Sequence, residues 1–395
     1  MISRGIGPLV AMLLLGGCPK APVSTMDAEL PERASGLSER PPQEILEEGA
    51  SSLEPSHRGH ALGFLIATAE QPGGGEWSAR ALFDPDAWVQ RQGVLALAGR
   101  LDEPESQAHL AAYLERKTAD PYSRGYAAVR LRGSSTEAIR DSLHRAWTAE
   151  PQRWRAAPLA LGALVHGDES ALEPLSAALA RGDLALEPQF VDDVGHSGRS
   201  ELLEALQEGE SWVEEELALA YAVARMSLGD PSGEQVLRKA LSSSDTGQQL
   251  EALDHLSTLR DPAADALLRR ARGQGSELAR TWAELALAAR GQADASVIAA
   301  ASQSEDSEIR ALAAGFAGVR LSRGELSRKG GRQLEEILQR ALVDRDPSVR
   351  RGALRGIEAA TLADREGLLS PILVDESFEN RLQAAGLLLA IRSAE

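Results

Sequence analysis

Apolar side chains along this chain recur at helical spacing in short runs, and each run is cut by a turn before the next begins. The clearest stretch lies near the C-terminus. Gln333 to Val343 places Leu334, Ile337, Leu338, Ala341 and Leu342 on one helical face. Asp344-Arg345-Asp346-Pro347 breaks the run. Asp346 is placed to accept hydrogen bonds from the free amides of a new helix, and Pro347 fits its first turn, where no donor is lost. The second run points Val349, Ala353, Leu354 and Ile357 one way and Arg350, Arg351, Arg355 and Glu358 the other. The pattern predicts two helices joined by a sharp turn.

The unit recurs. Related phrases are Asp84-Pro85-Asp86-Ala87-Trp88-Val89-Gln90-Arg91, Asp120-Pro121-Tyr122-Ser123-Arg124, Glu150-Pro151-Gln152-Arg153-Trp154-Arg155 and Ser307-Glu308-Ile309-Arg310-Ala311-Leu312-Ala313. Positions equivalent to Val349 fall at Val89, Ser123, Trp154, Phe190, Gln248, Leu278, Ile309 and Asn380. Most steps are 30 to 40 residues, and the 58-residue step from Phe190 to Gln248 implies a degenerate unit containing Trp212 to Ala218. First helices are expected at 104–116, 135–147, 169–180, 200–207, 232–242, 262–272, 294–302, 332–343 and 364–374. No alternating β-branched run gives a strand. A period of this length signals a solenoid, so the expected fold is all-α, a superhelix of stacked antiparallel helix pairs. Nine or ten pairs, each about 10–12 Å deep, predict an elongated curved body about 90–120 Å along its path. A globular chain of this length would have a radius of gyration near 22 Å.

On Asp346, Pro347, Val349, Arg350 and Ala353, and more weakly on Ile309, Arg310 and Ala313, the pattern resembles HEAT repeats and the related short bacterial HEAT-like repeats. The resemblance covers about residues 84–392. It implies a ladder of Asp and Arg between neighbouring units, here Asp346 and Arg350 with Pro347 setting the helix start. It also implies second helices lining a concave face. The tetratricopeptide signature is absent. Composition agrees: Ala and Leu dominate and aromatics make up only 4% of the chain, as expected of helices packed through small residues.

The N-terminus changes the picture from fold to compartment. Residues 1–17 read as an export signal: Arg4, then the apolar run Leu9 to Leu15, too short to span a bilayer. Leu15-Gly16-Gly17-Cys18 resembles the bacterial lipoprotein box, which implies lipidation of Cys18, the one cysteine in the chain. Several acyl chains hold a protein to a membrane where one holds it marginally. Pro19, not Asp, follows Cys18, which tilts the expected location toward an outer membrane facing the periplasm, with the inner membrane and the cell surface as alternatives. Residues 18–56, rich in Pro with scattered Ser and Glu, are expected to form a disordered tether of about 130 Å extended reach, with a short helix at 43–53. The repeat body is then 57–395.

The formal charge of −17 excludes a nucleic-acid binder by bulk charge. His57 and His60 stand three apart but have no matched acidic third ligand, an HExxH arrangement is absent, and no cofactor is expected. Asp192-Asp193-Val194-Gly195-His196-Ser197-Gly198 is the most enzyme-like string, but it lacks the nucleophile-elbow spacing and reads as a polar loop between helices. Trp154 beside Arg155 is a candidate contact. So is the basic segment Arg320 to Arg332, which includes Arg328 and Lys329 and reads as a loop. The expected function is a membrane-anchored, non-catalytic scaffold that binds another protein, using Trp154, Arg155, Arg310, Arg350 and Arg351 on the second-helix surface. Some HEAT-like repeats resemble phycobilin lyases, which leaves an enzyme accessory acting on a cofactor-carrying protein as one alternative. Recognition of an envelope polymer or glycan is another.

Overall fold

The computed structural model describes residues 40–131, 137–182, 186–213, 215–259, 262–324, 326–360, 362 and 365–394. Their secondary structure is helix and turn throughout, in antiparallel pairs. The pairs are α1 (Pro42–Ala50) with α2 (Pro55–Thr68), α3 (Gly75–Leu82) with α4 (Ala87–Ala98), α5 (Pro104–Leu114) with α6 (Pro121–Arg130), and α7 (Glu137–Thr148) with α8 (Arg153–Val165). Next come α9 (Leu172–Ala180) with α10 (Pro188–His196), α11 (Leu203–Glu210) with α12 (Glu215–Ser227), and α13 (Glu234–Leu241) with α14 (Thr246–Thr258). The last four are α15 (Pro262–Ala271) with α16 (Glu277–Ala289), α17 (Ser296–Ala301) with α18 (Ser307–Ser322), α19 (Arg328–Ala341) with α20 (Pro347–Ala359), and α21 (Arg365–Leu369) with α22 (Phe378–Ala394). The pair α11–α12 is the degenerate unit implied by the long step.

Local chemistry explains the boundaries. In six units the inner turn ends on a capping side chain: Asp86, Asp120, Asp245, Ser276, Asp306 and Asp346 each accept hydrogen bonds from amides of the second helix's first turn. Pro stands in the first turn of α2, α6, α10 and α20. The turn that leaves a unit uses different chemistry. Gly167 after α8 and Gly229 after α12 have φ of 90° and 96°, a left-handed geometry that ends the helix at no steric cost.

Apolar side chains between the two helix layers form one core that runs from Ile45 and Leu46 to Leu382 and Leu388, with a second cluster through α12 to α16. Inner helices approach almost backbone to backbone. A Cβ on Gly318 of α18 would lie 2.0 Å from the carbonyl oxygen of Gly356 on α20.

The two ends of the chain meet. Helices α1 and α2 pack on α22. A Cβ on Gly386 would meet the Phe64 ring at 2.2 Å, and the His57 and Phe378 rings stand 5.0 Å apart, edge to face. The first unit therefore sits where a unit after the last would sit, and the repeat closes into a ring. This corrects the elongated arc expected from the repeat count. It also moves the start of the folded body. Pro42–Ala50, placed in the expected tether, is a packed helix with Ile45, Leu46 and Ala50 buried at the seam. Cys18 and the segment 1–39 lie outside the described residues.

Candidate functional site

The arginines singled out from the sequence are mostly consumed by the fold. Arg350 is buried. Its guanidinium donates to the carbonyl oxygens of Asp344 and Arg345 in its own turn, at 2.8 and 3.1 Å, and to the Asp375 carboxylate of the next unit at 2.5 and 2.9 Å. Arg310 repeats the arrangement with the carbonyls of Ser304 and Glu305 and with Asp344 at 2.8 and 3.0 Å. Arg58 repeats it with Ser52, Leu53 and Asp84. The ladder implied by the HEAT resemblance is thus present, but its acid is not the expected one. Asp346 caps α20 through Ser348, while the rung acid stands two residues before each cap, at Asp84, Asp344 and Asp375. Geometry explains the division: the Asp346 carboxylate is taken by Ser348 of its own helix and Ser307 of the preceding unit, so the carboxylate two residues earlier takes the preceding unit's arginine.

The remaining candidates are scattered. Trp154 is half-buried against Tyr122, with ring centroids 6.3 Å apart, and Arg155 lies 5.5 Å over its ring while pairing with Glu150 at 3.4 Å. Arg351 pairs with Glu379. Arg328 and Lys329 are exposed, but they open α19 and do not sit in a long loop; the expected basic loop shrinks to the short link between Ser322 and Arg328, and Arg320 is buried at the end of α18. Of these, Arg155 is brought against Trp154, while Arg310, Arg350 and Arg351 are spent on pairs with the next unit.

The inner face of the ring holds what the sequence did not reveal. Arg91 on α4 reaches Glu187, before α10, at 2.8 Å, passing over two intervening units. Asp192 on α10 stands 3.9 Å from the His255 ring on α14. These bridges cross the ring and tie its inner helices together. Burial, then the neighbouring carboxylates of Asp193 and Asp254, push Asp192 up to about 8. Burial pushes Asp193 up to about 7 against the pull of Arg130 and Arg91, and Asp254 up to about 6 against Arg355. Burial draws His255 down to about 4. Asp192 and His255 therefore meet near neutral pH as an uncharged acid and an uncharged imidazole, not as an ion pair. A small cleft lined by Arg91, Tyr126, Glu187, Phe190 and Asp193 has an enclosed space of about 10 Å³, room for about one water.

The enzyme-like string does not assemble a catalytic group. His196 Nδ1 lies 2.8 Å from its own helix's Asp192 carbonyl, Ser197 Oγ donates to the Val194 carbonyl at 2.6 Å, and Asp193 is buried on the inner face. Asp192 to His196 form the last turn of α10, and Ser197 and Gly198 begin the turn that follows. Among the described residues, no group of three or more His, Cys, Asp or Glu is placed to hold a metal ion, and no helix is long and apolar enough to cross a membrane.

A second feature lies on the rim formed by the turns inside the units. Leu53, Phe83, Trp212, Val343 and Val374 are the exposed large apolar side chains of the described residues, and all five stand in these turns. Periodicity missed them because they fall between the helical runs. A clue was available in Phe83-Asp84, Val343-Asp344 and Val374-Asp375, where an apolar residue precedes a rung acid.

No family model and no curated protein matches the chain. Among solved structures it is similar to an engineered protein at 17% identity, covering 89% of this chain and 98% of that one with a TM-score of 0.30. It is similar to human deoxyhypusine hydroxylase at 18% identity, covering 68% and 98% with a TM-score of 0.27. It is also similar to the myosin chaperone UNC-45 at 14% identity, covering 89% and 51% with a TM-score of 0.24. Likenesses this weak carry no argument, and the all-helical repeat architecture rests on this chain's own helices.

Proposed function

We propose that this protein is a non-catalytic scaffold of the bacterial cell envelope, held to a membrane by lipid on Cys18 and binding another protein. The observation that supports it best is the make-up of the folded part. From Pro42 to Ala394 the described chain is one succession of helix pairs, and its charged interior is spent on bridges between its own helices. What remains for a partner is the outer surface and the two rims. Among the contact residues expected from the sequence, Arg328 and Lys329 at the start of α19 stay exposed, on the rim where each unit begins. Arg310 and Arg350 act in the ladder, so they leave the partner surface.

Crosslinking in intact cells, with the captured protein identified by mass spectrometry, tests the binding role. The proposal expects a specific protein whose capture falls when Arg328→Glu and Lys329→Glu are combined, with helicity unchanged. Capture of nothing specific, or turnover of a substrate by the purified chain, would overturn it. Intact-mass analysis tests the anchor separately: a mature chain starting at a diacylated Cys18 is expected, and an unmodified N-terminus elsewhere refutes it.

A further inference from the structure

We infer that the rim carrying Leu53, Phe83, Trp212, Val343 and Val374 rests on a lipid bilayer of low surface charge, dipping these side chains into its interfacial layer. Single exposed apolar residues are ordinary on any protein. Their confinement is not. All five stand in turns joining a first helix to its second, and none of the described turns on the opposite rim exposes a large apolar side chain. In a closed ring of antiparallel pairs, such turns share one face.

The fold holds these tips in register. Val343, Val374 and Phe83 each precede a rung acid, and the rungs Arg310–Asp344, Arg350–Asp375 and Arg58–Asp84 bolt neighbouring turns together. Leu53 lends its carbonyl to Arg58 and leaves its side chain 98% exposed. Val343, Val374, Leu53 and Phe83 belong to four successive units around the seam. Trp212 belongs to the sixth unit, on the far side of the ring, and is 67% exposed. A narrow peptide cannot touch both groups. A broad flat surface can.

Charge selects the kind of surface. The rim's rung carboxylates are matched by their arginines, and Glu210 beside Trp212 pairs with Arg225. Exposed Arg345 can meet a phosphate, and the Arg116 guanidinium lies 3.9 Å over the Phe83 ring. A net charge of −17 disfavours strongly anionic lipid, so a largely zwitterionic surface fits. Aromatic tips are at home in that layer. The inference does not require lipid on Cys18, but it is compatible with it. Helix α1 starts on the opposite rim, and the residues from Pro19 to Pro41 can reach about 80 Å when extended, against about 20 Å of helix between the rims.

Hydrogen exchange on the full chain bearing Cys18→Ala, with and without vesicles of phosphatidylcholine and phosphatidylethanolamine, tests this directly. Vesicles are expected to protect the turns at 51–54, 83–86, 211–213, 343–346 and 374–377 and to leave those at 166–168, 197–199 and 228–230 unchanged. Combining Phe83→Ser with Trp212→Ser should weaken vesicle binding by about tenfold or more, and added phosphatidylglycerol should not strengthen it. Protection of the opposite rim, or binding indifferent to both substitutions, overturns the inference. So does protection of these turns by a captured protein but not by vesicles. That last result would leave the scaffold proposal standing, so the two fail separately.

Discussion

Two kinds of charged residue govern this molecule, and they respond to different tests. The rung arginines are partnered by carbonyls of their own turn and a carboxylate of the next unit; Arg350 is buried, and Arg58 and Arg310 are half-buried. Removing Asp375 takes the two-point carboxylate from Arg350, which keeps two backbone carbonyls and Glu376, at a cost of about 1.5–3 kcal/mol, whereas Asp346→Ala loses a cap worth about 1 kcal/mol. Thermal or urea unfolding of the two variants checks that order; equal losses would mean that the cap, not the rung, carries the ladder. The buried interior acids give a pH signature. Asp192 and Asp193 have folded values raised to about 8 and about 7, so the stability they contribute is present in acid and lost as pH rises through those values. His255, lowered to about 4, acts in the opposite sense, since its neutral form is favoured and stability is lost as pH falls toward 4. Stability should therefore fall between about pH 4 and pH 8, with His255 offsetting part of the fall below about 6.5, and Asp193→Asn should flatten it. A variant whose unfolding midpoint keeps the full slope would show that Asp193 is ionised in the fold. The arginine at the fourth position after the Asp306 and Asp346 caps was visible in the sequence, as were the caps themselves. Its partner was not, because the choice between two nearby carboxylates depends on which one faces the next unit.

Helices were the most legible level. Apolar spacing, capping residues and proline placed nine of the second helices, and the over-long step at Phe190 to Gln248 gave away α12. What misled was composition. Proline and serine around α1 argued for a tether, yet Ile45, Leu46 and Ala50 have helical spacing and find a partner only in α22, more than three hundred residues away in sequence. In the same way, Arg320 to Arg332 looked like a basic loop because glycine is frequent there; in the fold Ser327 caps α19, Gly330 and Gly331 are helical, and only Gly324 stands in the link with a left-handed φ of 70°. Val349 on α20 is 1% exposed, so Val349→Asp should bury an unpaired charge and unfold the surrounding units. Full helicity and protease resistance in that variant would refute the assigned register. At the seam, any side chain on Gly386 collides with Phe64. Gly386→Val should cost about 1–3 kcal/mol in stability and loosen α1 from α22, read out as faster amide exchange in Pro42–Ala50. Unchanged exchange would mean the ends do not press together there.

For the whole molecule, closure is the property that the sequence could not announce. It arises from a small rotation between each pair of neighbours, summed around all of them, and no single residue encodes it. The close approaches at Gly49 and Gly386 and the His57–Phe378 ring contact are its local traces. Closure turns the concave face, the surface expected to hold a partner, into an interior crossed by Arg91–Glu187 and Asp192–His255. It hands the contact role to the rims and sets five apolar tips on one of them. Charge reversal at Arg310 should thus damage the fold rather than partner capture alone. Everything said of the rims depends on the ends meeting. The direct measurement is the distance between spin labels attached at Leu53→Cys and Val374→Cys on a Cys18→Ala chain, at two exposed positions in neighbouring turns across the seam. The closed ring places them about 10–25 Å apart, one helix spacing plus the label arms. An open solenoid would separate them by about 50 Å or more along its arc, and a distribution centred there would contradict the account.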